Sequence, residues 1–135
     1  MVCVYCGGRT GVVNSRPQRK DNGVWRRRRC GDCGATFSSE EKPQLELAWQ
    51  VRDGKRLSAF SRDKLLISLY KSCQHRKTAL SDAQGLCETV ISKLSAHISG
   101  GTVDKGDISR CAQVALNRFD KAASVNYEAF HQRMR

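Results

Sequence analysis

Two cysteine pairs constrain this chain more than any other feature. Cys3-x2-Cys6 and Cys30-x2-Cys33 are separated by 23 residues, and each is followed by glycine, in "CVYCGG" and "CGDCG". Two thiols so spaced on a tight turn can point at one ion, and two such turns complete a tetrahedral Zn²⁺ site with Cys3, Cys6, Cys30 and Cys33 as ligands. Glycine after each pair permits the positive φ that a metal-binding knuckle needs. Of the seven cysteines, the other three are scattered. A secreted disulfide scaffold would more often use an even, dispersed set. The pattern predicts one zinc ion in a reducing compartment, the cytoplasm. A catalytic zinc fits less well, because it keeps an open position and usually takes His or carboxylate ligands. No His precedes His75.

Between the pairs, "TGVVNSRP" reads as a strand ended by Pro17, and "QRKDNG" as a turn with an Asn-Gly signal. "VWRRRR" returns as a second strand, and "GATFSS" can add a third. A three-stranded zinc ribbon over residues 1–41 follows. So small a unit has little core, and metal binding supplies most of its folding energy, roughly 10 kcal/mol or more.

The chain carries 24 Lys+Arg against 13 Asp+Glu, a formal charge of +11. Residues 1–37 alone hold eight basic and two acidic side chains, a net +6. That balance favours polyanions. In an extended Val24–Arg29 the side chains alternate. Arg26 and Arg28 point one way, and Arg27, Arg29 and Trp25 the other. Arginine's planar fork suits phosphate and guanine edges. Arg16, Arg26, Arg27, Arg28 and Arg29 are therefore candidate contacts to double-stranded DNA, held ready by a metal-pinned strand. The alternative is a solvated charge run. Four thiolates around Zn²⁺ also leave a formal −2 site beside the arginines, which partly relieves their mutual repulsion.

"KPQ" at 42–44 marks a boundary to a second domain over 45–135. "LELAWQV" and "KRLSAF", with "RDG" between, predict a hairpin. Ser61 caps a helix over 62–73 with Leu65, Leu66, Leu69 and Tyr70 on one face. Ser81 caps another, with Ala83, Leu86, Cys87, Val90, Ile91, Leu94 and Ile98 at helical spacing. A third begins near Asp107 and turns Ile108, Cys111, Ala112, Ala115, Leu116 and Phe119 inward. A short last helix covers 122–133. The fold class is α+β. Cys73, Cys87 and Cys111 read as core residues. His75, His97 and His131 fall on different elements. No Ser-His-Asp order, Walker loop or carboxylate pair stands out, so no enzymatic role is expected. No apolar run nears the roughly 20 residues of a membrane span, and "MVCVYCGG" lacks signal-peptide character.

"VVNSRP", "RRRRCGDCGATFSSEE" and "FSRDKLL" together resemble the bacterial NrdR family, repressors of ribonucleotide reductase genes. The resemblance is close over residues 1–41 and looser through an ATP-cone domain to the C-terminus. It implies zinc on the four cysteines and operator DNA on Arg16 and Arg26–Arg29. It also implies a cone that binds ATP or dATP through Val51, Arg52, Arg56 and Lys64. The bound nucleotide would set the homo-oligomer and hence operator binding. The cone departs from the family pattern. Arg52 stands for a lysine, Ser58-Ala59 for a Glu-Pro pair, Ser124 and His131 for tyrosines, and Asn126 for an arginine. Stacking on adenine would be weakened.

Three functions are compatible with these features. One is a nucleotide-responsive repressor. A second is a zinc-ribbon nucleic-acid adaptor whose cone only oligomerises. A third is a regulatory subunit or enzyme fragment working on nucleotides.

Overall fold

The computed structural model describes residues 1–132, which form two compact units, Met1–Pro43 and the chain from Gln44 onward. The expected end of the last helix at 133 lies outside the described residues. Among those described, no helix is long and apolar enough to cross a membrane.

The first unit is an antiparallel sheet in the order β1-β2-β3, with β1 Thr10–Gln18, β2 Gly23–Cys30 and β3 Thr36–Glu41. Thr10 lies opposite Cys30 and Gln18 opposite Gly23. A register shift between Val12 and Asn14 makes Val13 a bulge. Asn22 takes φ 48° in the turn, a left-handed conformation that Asn tolerates better than most residues. The sequence predicts that Pro17 ends the first strand. Instead β1 runs one residue beyond it; β1 is an edge strand, where proline is tolerated. The third strand starts at Thr36 and not at Gly34, which is held at φ 72° in the second knuckle.

The second unit is α+β. The predicted hairpin exists as β4 Gln50–Asp53 and β5 Arg56–Ala59. The segment before it is not strand. Leu45–Ala48 forms a one-turn helix, α1, whose Leu45 carbonyl accepts from the Trp49 N–H. Helical spacing lets Leu45 and Trp49 both reach the core. Trp49 meets Phe60 edge-on at 5.3 Å. A short strand absent from the sequence reading, β6 Thr102–Asp104, pairs parallel with β4 and gives the order β5-β4-β6.

Four longer helices pack on one another, with α4 against β4 and β6: α2 Arg62–Ser72, α3 Ala79–Leu94, α4 Lys105–Phe119 and α5 Lys121–Gln132. Ser61 caps α2 by accepting from the Lys64 N–H. Ser81 does not cap α3, which begins two residues earlier after Thr78. The Thr78 hydroxyl is instead turned to Asp82 Oδ2, 2.7 Å away. α3 stops at Leu94, and Ser95–His97 tighten into a 3₁₀ turn. Cys73, Cys87 and Cys111 are buried with Leu69, Val90, Leu94 and Leu116. Tyr70, expected on the same face as Leu65 and Leu69, is exposed. Phe119 is 41% exposed and does not turn inward. It carries the Arg76 guanidinium over its ring at 4.7 Å, a cation–π contact that holds the ring at the surface.

Candidate metal centre and nucleic-acid interface

The two knuckles are built alike. Cys3 and Cys30 are buried, and Cys6 and Cys33 are exposed. In the first knuckle the Tyr5 N–H donates to Cys3 Sγ at 3.4 Å; in the second the Cys33 N–H donates to Cys30 Sγ at 3.5 Å. Gly7 and Gly34 each follow the second thiol of a pair and adopt φ 75° and φ 72°. A side chain at either would be strained. The β1–β2 pairing clamps the knuckles together, since the Gly31 N–H donates to the Arg9 carbonyl at 3.0 Å.

All four sulfurs lie within 4.8 Å of one another. Cys3 Sγ is 3.7 Å from Cys33 Sγ, and Cys6 Sγ is 3.5 Å from Cys30 Sγ. A Zn–S length near 2.3 Å makes the edge of a sulfur tetrahedron roughly 3.8 Å, so the donor set has the size a zinc ion needs. The protonation chemistry agrees. Cys30 is lowered to about 7, chiefly by the Cys33 backbone N–H. At Cys6 the strongest single influence, a backbone hydrogen bond with Gly8, lowers the pKa, but the Cys33 and Cys30 thiols with burial outweigh it and push it up to about 12. Thiols this close cannot all ionise unless a cation sits among them.

Strand β2 carries the arginines in from this centre. Its burial alternates: Arg26 and Arg28 are half-buried, and Arg27 and Arg29 are exposed. Arg26 pairs with Glu41 at 3.1 Å, and Arg28 Nε donates to Ser39 Oγ at 3.0 Å. Both reach two positions along β3 from their direct partners, Ser39 and Phe37. The opposite face holds Trp25 directly across from Arg16, with Arg27 and Arg29 beside it. Arg27 Nη2 donates to Thr36 Oγ1 at 3.0 Å. The structure thus divides the predicted DNA residues between two faces, with Arg16, Arg27 and Arg29 on the exposed one and Arg26 and Arg28 on the half-buried one, while Arg26, Arg27 and Arg28 each reach β3. The sequence reading missed Arg9, which flanks a groove of about 560 Å³ together with Arg29. Counting alternation back from Gly11 along β1 would have put it on the open face.

The predicted nucleotide residues are less gathered. Val51 is half-buried against the core. The register places Arg52 opposite Leu57 and Arg56 opposite Asp53. The pleat therefore sends Arg52 to one face of the sheet and Val51 and Arg56 to the other. Arg52 Nη1 lies 3.9 Å from Asp104 Oδ1, and Asp53 accepts from Lys105 Nζ at 2.7 Å. Lys64 is exposed on the first turn of α2. The departures at the C-terminal end are all engaged in packing. Ser124 is buried and accepts from Gln113 Nε2 at 2.7 Å. Asn126 Nδ2 donates to the Ser72 carbonyl at 3.3 Å. The His131 ring stacks on Tyr127 at 3.9 Å.

Residues 1–41 match the family model described as "Transcriptional repressor NrdR-like, N-terminal domain". Full-length relatives carry the same name. A "Transcriptional repressor NrdR" of Hyphomonas neptunium is 34% identical, over 98% of this chain and 83% of that protein. One from Rhodospirillum centenum is 31% identical, over 100% and 88%. One from Symbiobacterium thermophilum is 29% identical, over 98% and 87%. The name is that of a regulator and not of an enzyme. Likeness at this level over nearly the whole chain, together with the ribbon match, makes the protein a member of the NrdR family of transcriptional repressors.

Proposed function

We propose that this chain represses ribonucleotide reductase genes by binding operator DNA through its ribbon, under control of ATP or dATP held by the cone. Cys3, Cys6, Cys30 and Cys33 hold one zinc ion, whose part is to lock the two knuckles in place. Arg16 and Arg26–Arg29 supply the contacts to double-stranded DNA. Val51, Arg52, Arg56 and Lys64 are the residues through which the cone would take the nucleotide. The observation that carries this reading is an exposed arginine face on a sheet whose ends meet at four thiols within 4.8 Å of one another.

One ribbon is too small for a large specific interface. A homo-oligomer would set several ribbons on one duplex and raise avidity without new contacts. Nucleotide controls that step only if it favours one assembly over another. Light scattering and operator affinity, measured on zinc-loaded protein with and without dATP or ATP, test the reading. Mass and affinity are expected to shift together. A second reading, an adaptor whose cone only oligomerises, draws support from Ser124, Asn126 and His131, whose side chains serve helix packing. No change in mass or affinity at millimolar nucleotide would select it.

A further inference from the structure

Arg9 lies outside the arginine run and outside every expected contact. Its backbone carbonyl accepts from Gly31, which fixes it at the metal end of the ribbon. Together with Arg29 it borders a groove of about 560 Å³ whose floor includes Gly11, Gly31 and Gly34. Gly11 is the direct cross-strand partner of Arg29. Having no side chain, it leaves the Arg29 guanidinium without a neighbour on that side. A Cβ added at Gly11 or Gly34 would meet nothing within 4 Å. The opening is thus roomy and bounded by backbone, which lets a ligand approach closely.

Its charge selects the ligand. Among the described residues the groove lining holds no acidic side chain. Among the described residues neither Arg9 nor Arg29 has a side-chain hydrogen bond or ion pair, whereas Arg26, Arg27 and Arg28 each have one. Cys30 also borders the groove, so a metal-loaded centre places negative charge at its base. Two guanidinium groups are needed to make such a site attract an anion. We propose that Arg9 and Arg29 form a phosphate-binding subsite, in which the groove seats one backbone phosphate of the duplex. The inference rests on the ribbon being the DNA-binding unit. It adds a contact that sets position on the duplex and carries no base preference.

The test uses the full zinc-loaded chain and a short duplex of mixed sequence, titrated over a range of salt. Arg9→Ala and Arg29→Ala are expected to weaken binding several-fold, and the double variant to lose no more than about 0.9 from the salt slope, the share of a single phosphate. Because both groups serve that phosphate, the two losses should be less than additive. Gly11→Asp is the companion variant. The space around Gly11 accepts a Cβ, so the fold should hold, and the new carboxylate beside Arg29 should weaken binding as the arginine variants do. Arg9→Ala with wild-type affinity and slope, zinc content being equal, overturns the subsite. So does Gly11→Asp binding as well as wild type. If the unaltered protein shows no salt-dependent duplex binding, the ribbon reading itself fails and takes the subsite with it. If Arg27→Ala weakens binding while Arg9→Ala does not, the ribbon reading stands and the subsite alone falls.

Discussion

Arg76 and Asp120 join the α2–α3 connection to the start of α5: Arg76 Nη1 donates to Asp120 Oδ2 at 2.9 Å. His75 Nε2 lies 3.1 Å from the same oxygen, and Asp120 Oδ1 accepts from the N–H groups of Ala122 and Ala123. One carboxylate thus caps α5 and closes an ion-pair network that includes Asp82, bonded to Arg76 Nε at 2.8 Å. His75 first, then the Ala123 N–H, hold Asp120 well below the usual carboxylate range. A depressed folded-state pKa contributes stability that is complete above the unfolded value of about 3.9 and is lost as pH falls through the folded one. Asp120→Asn should therefore lower the melting temperature of the second unit at neutral pH. Below about pH 4 the variant should respond to acid less steeply than wild type. Thermal melts at stepped pH would check both; parallel acid profiles would refute the capping role.

Asp32 of the second knuckle fills the space beside Gly8 of the first. A Cβ on Gly8 would lie 2.0 Å from Asp32 Oδ2 and 3.2 Å from Asp32 Cβ. Gly8→Ala should force the carboxylate aside and destabilise the ribbon by about 1 kcal/mol, the low end of overpacking costs. Adding Asp32→Ala removes the offending oxygens and should restore most of the stability. Metal release against a competing chelator, followed for the two single variants and the double, would show the rescue or its absence.

What the sequence reveals follows from the range of the interactions. Knuckles, the alternation of Trp25 and Arg26–Arg29, and the apolar stripes holding Cys87 and Cys111 are set by residues a few positions apart, so spacing alone exposes them. β6 is not legible because its partner β4 lies about 50 residues earlier, and three residues carry no periodicity. α1 reads as strand because Leu45 and Trp49 fit either period, and only the core they reach decides. Phe119 falls inward by spacing, yet a guanidinium from another element covers it. Which of the two arginine faces is sheltered needs the folded sheet. The nucleotide residues come through resemblance, and the sheet sends them to different faces.

Cys30 is buried, bonded through sulfur to the Cys33 N–H, and 3.5 Å from Cys6 Sγ. Cys30→Ser replaces a thiolate donor with a poor zinc ligand. The ribbon has little apolar interior beyond its cysteines: Cys3 and Cys30 are its only fully buried hydrophobic residues among those described. Loss of the metal should remove the roughly 10 kcal/mol or more that structural zinc supplies. The variant should lack stoichiometric zinc by elemental analysis and show a disordered first unit in amide exchange. The second unit, with its own core, should stay protected. Retained zinc at one per chain would refute the ligand assignment.

Arg27 and Arg28 differ in what holds them, and that separates a role in binding from one in folding. Arg27 is exposed and its bond to Thr36 lies in solvent, whereas Arg28 is half-buried and its Nε–Ser39 bond is partly sheltered. Every phosphate that an arginine no longer neutralises should make the salt dependence of DNA binding shallower by about 0.9. Arg27→Ala should show that change with the ribbon's metal affinity little altered, because water replaces its exposed bond to Thr36. Arg28→Ala should weaken DNA binding too, but it also removes a cross-strand hydrogen bond worth about 1 kcal/mol, so zinc should be released to a chelator more readily. Measuring slope and chelator midpoint on the same preparations distinguishes the two effects. An unchanged slope in both variants would mean that the arginine run only solubilises the ribbon, and the duplex must then be held elsewhere.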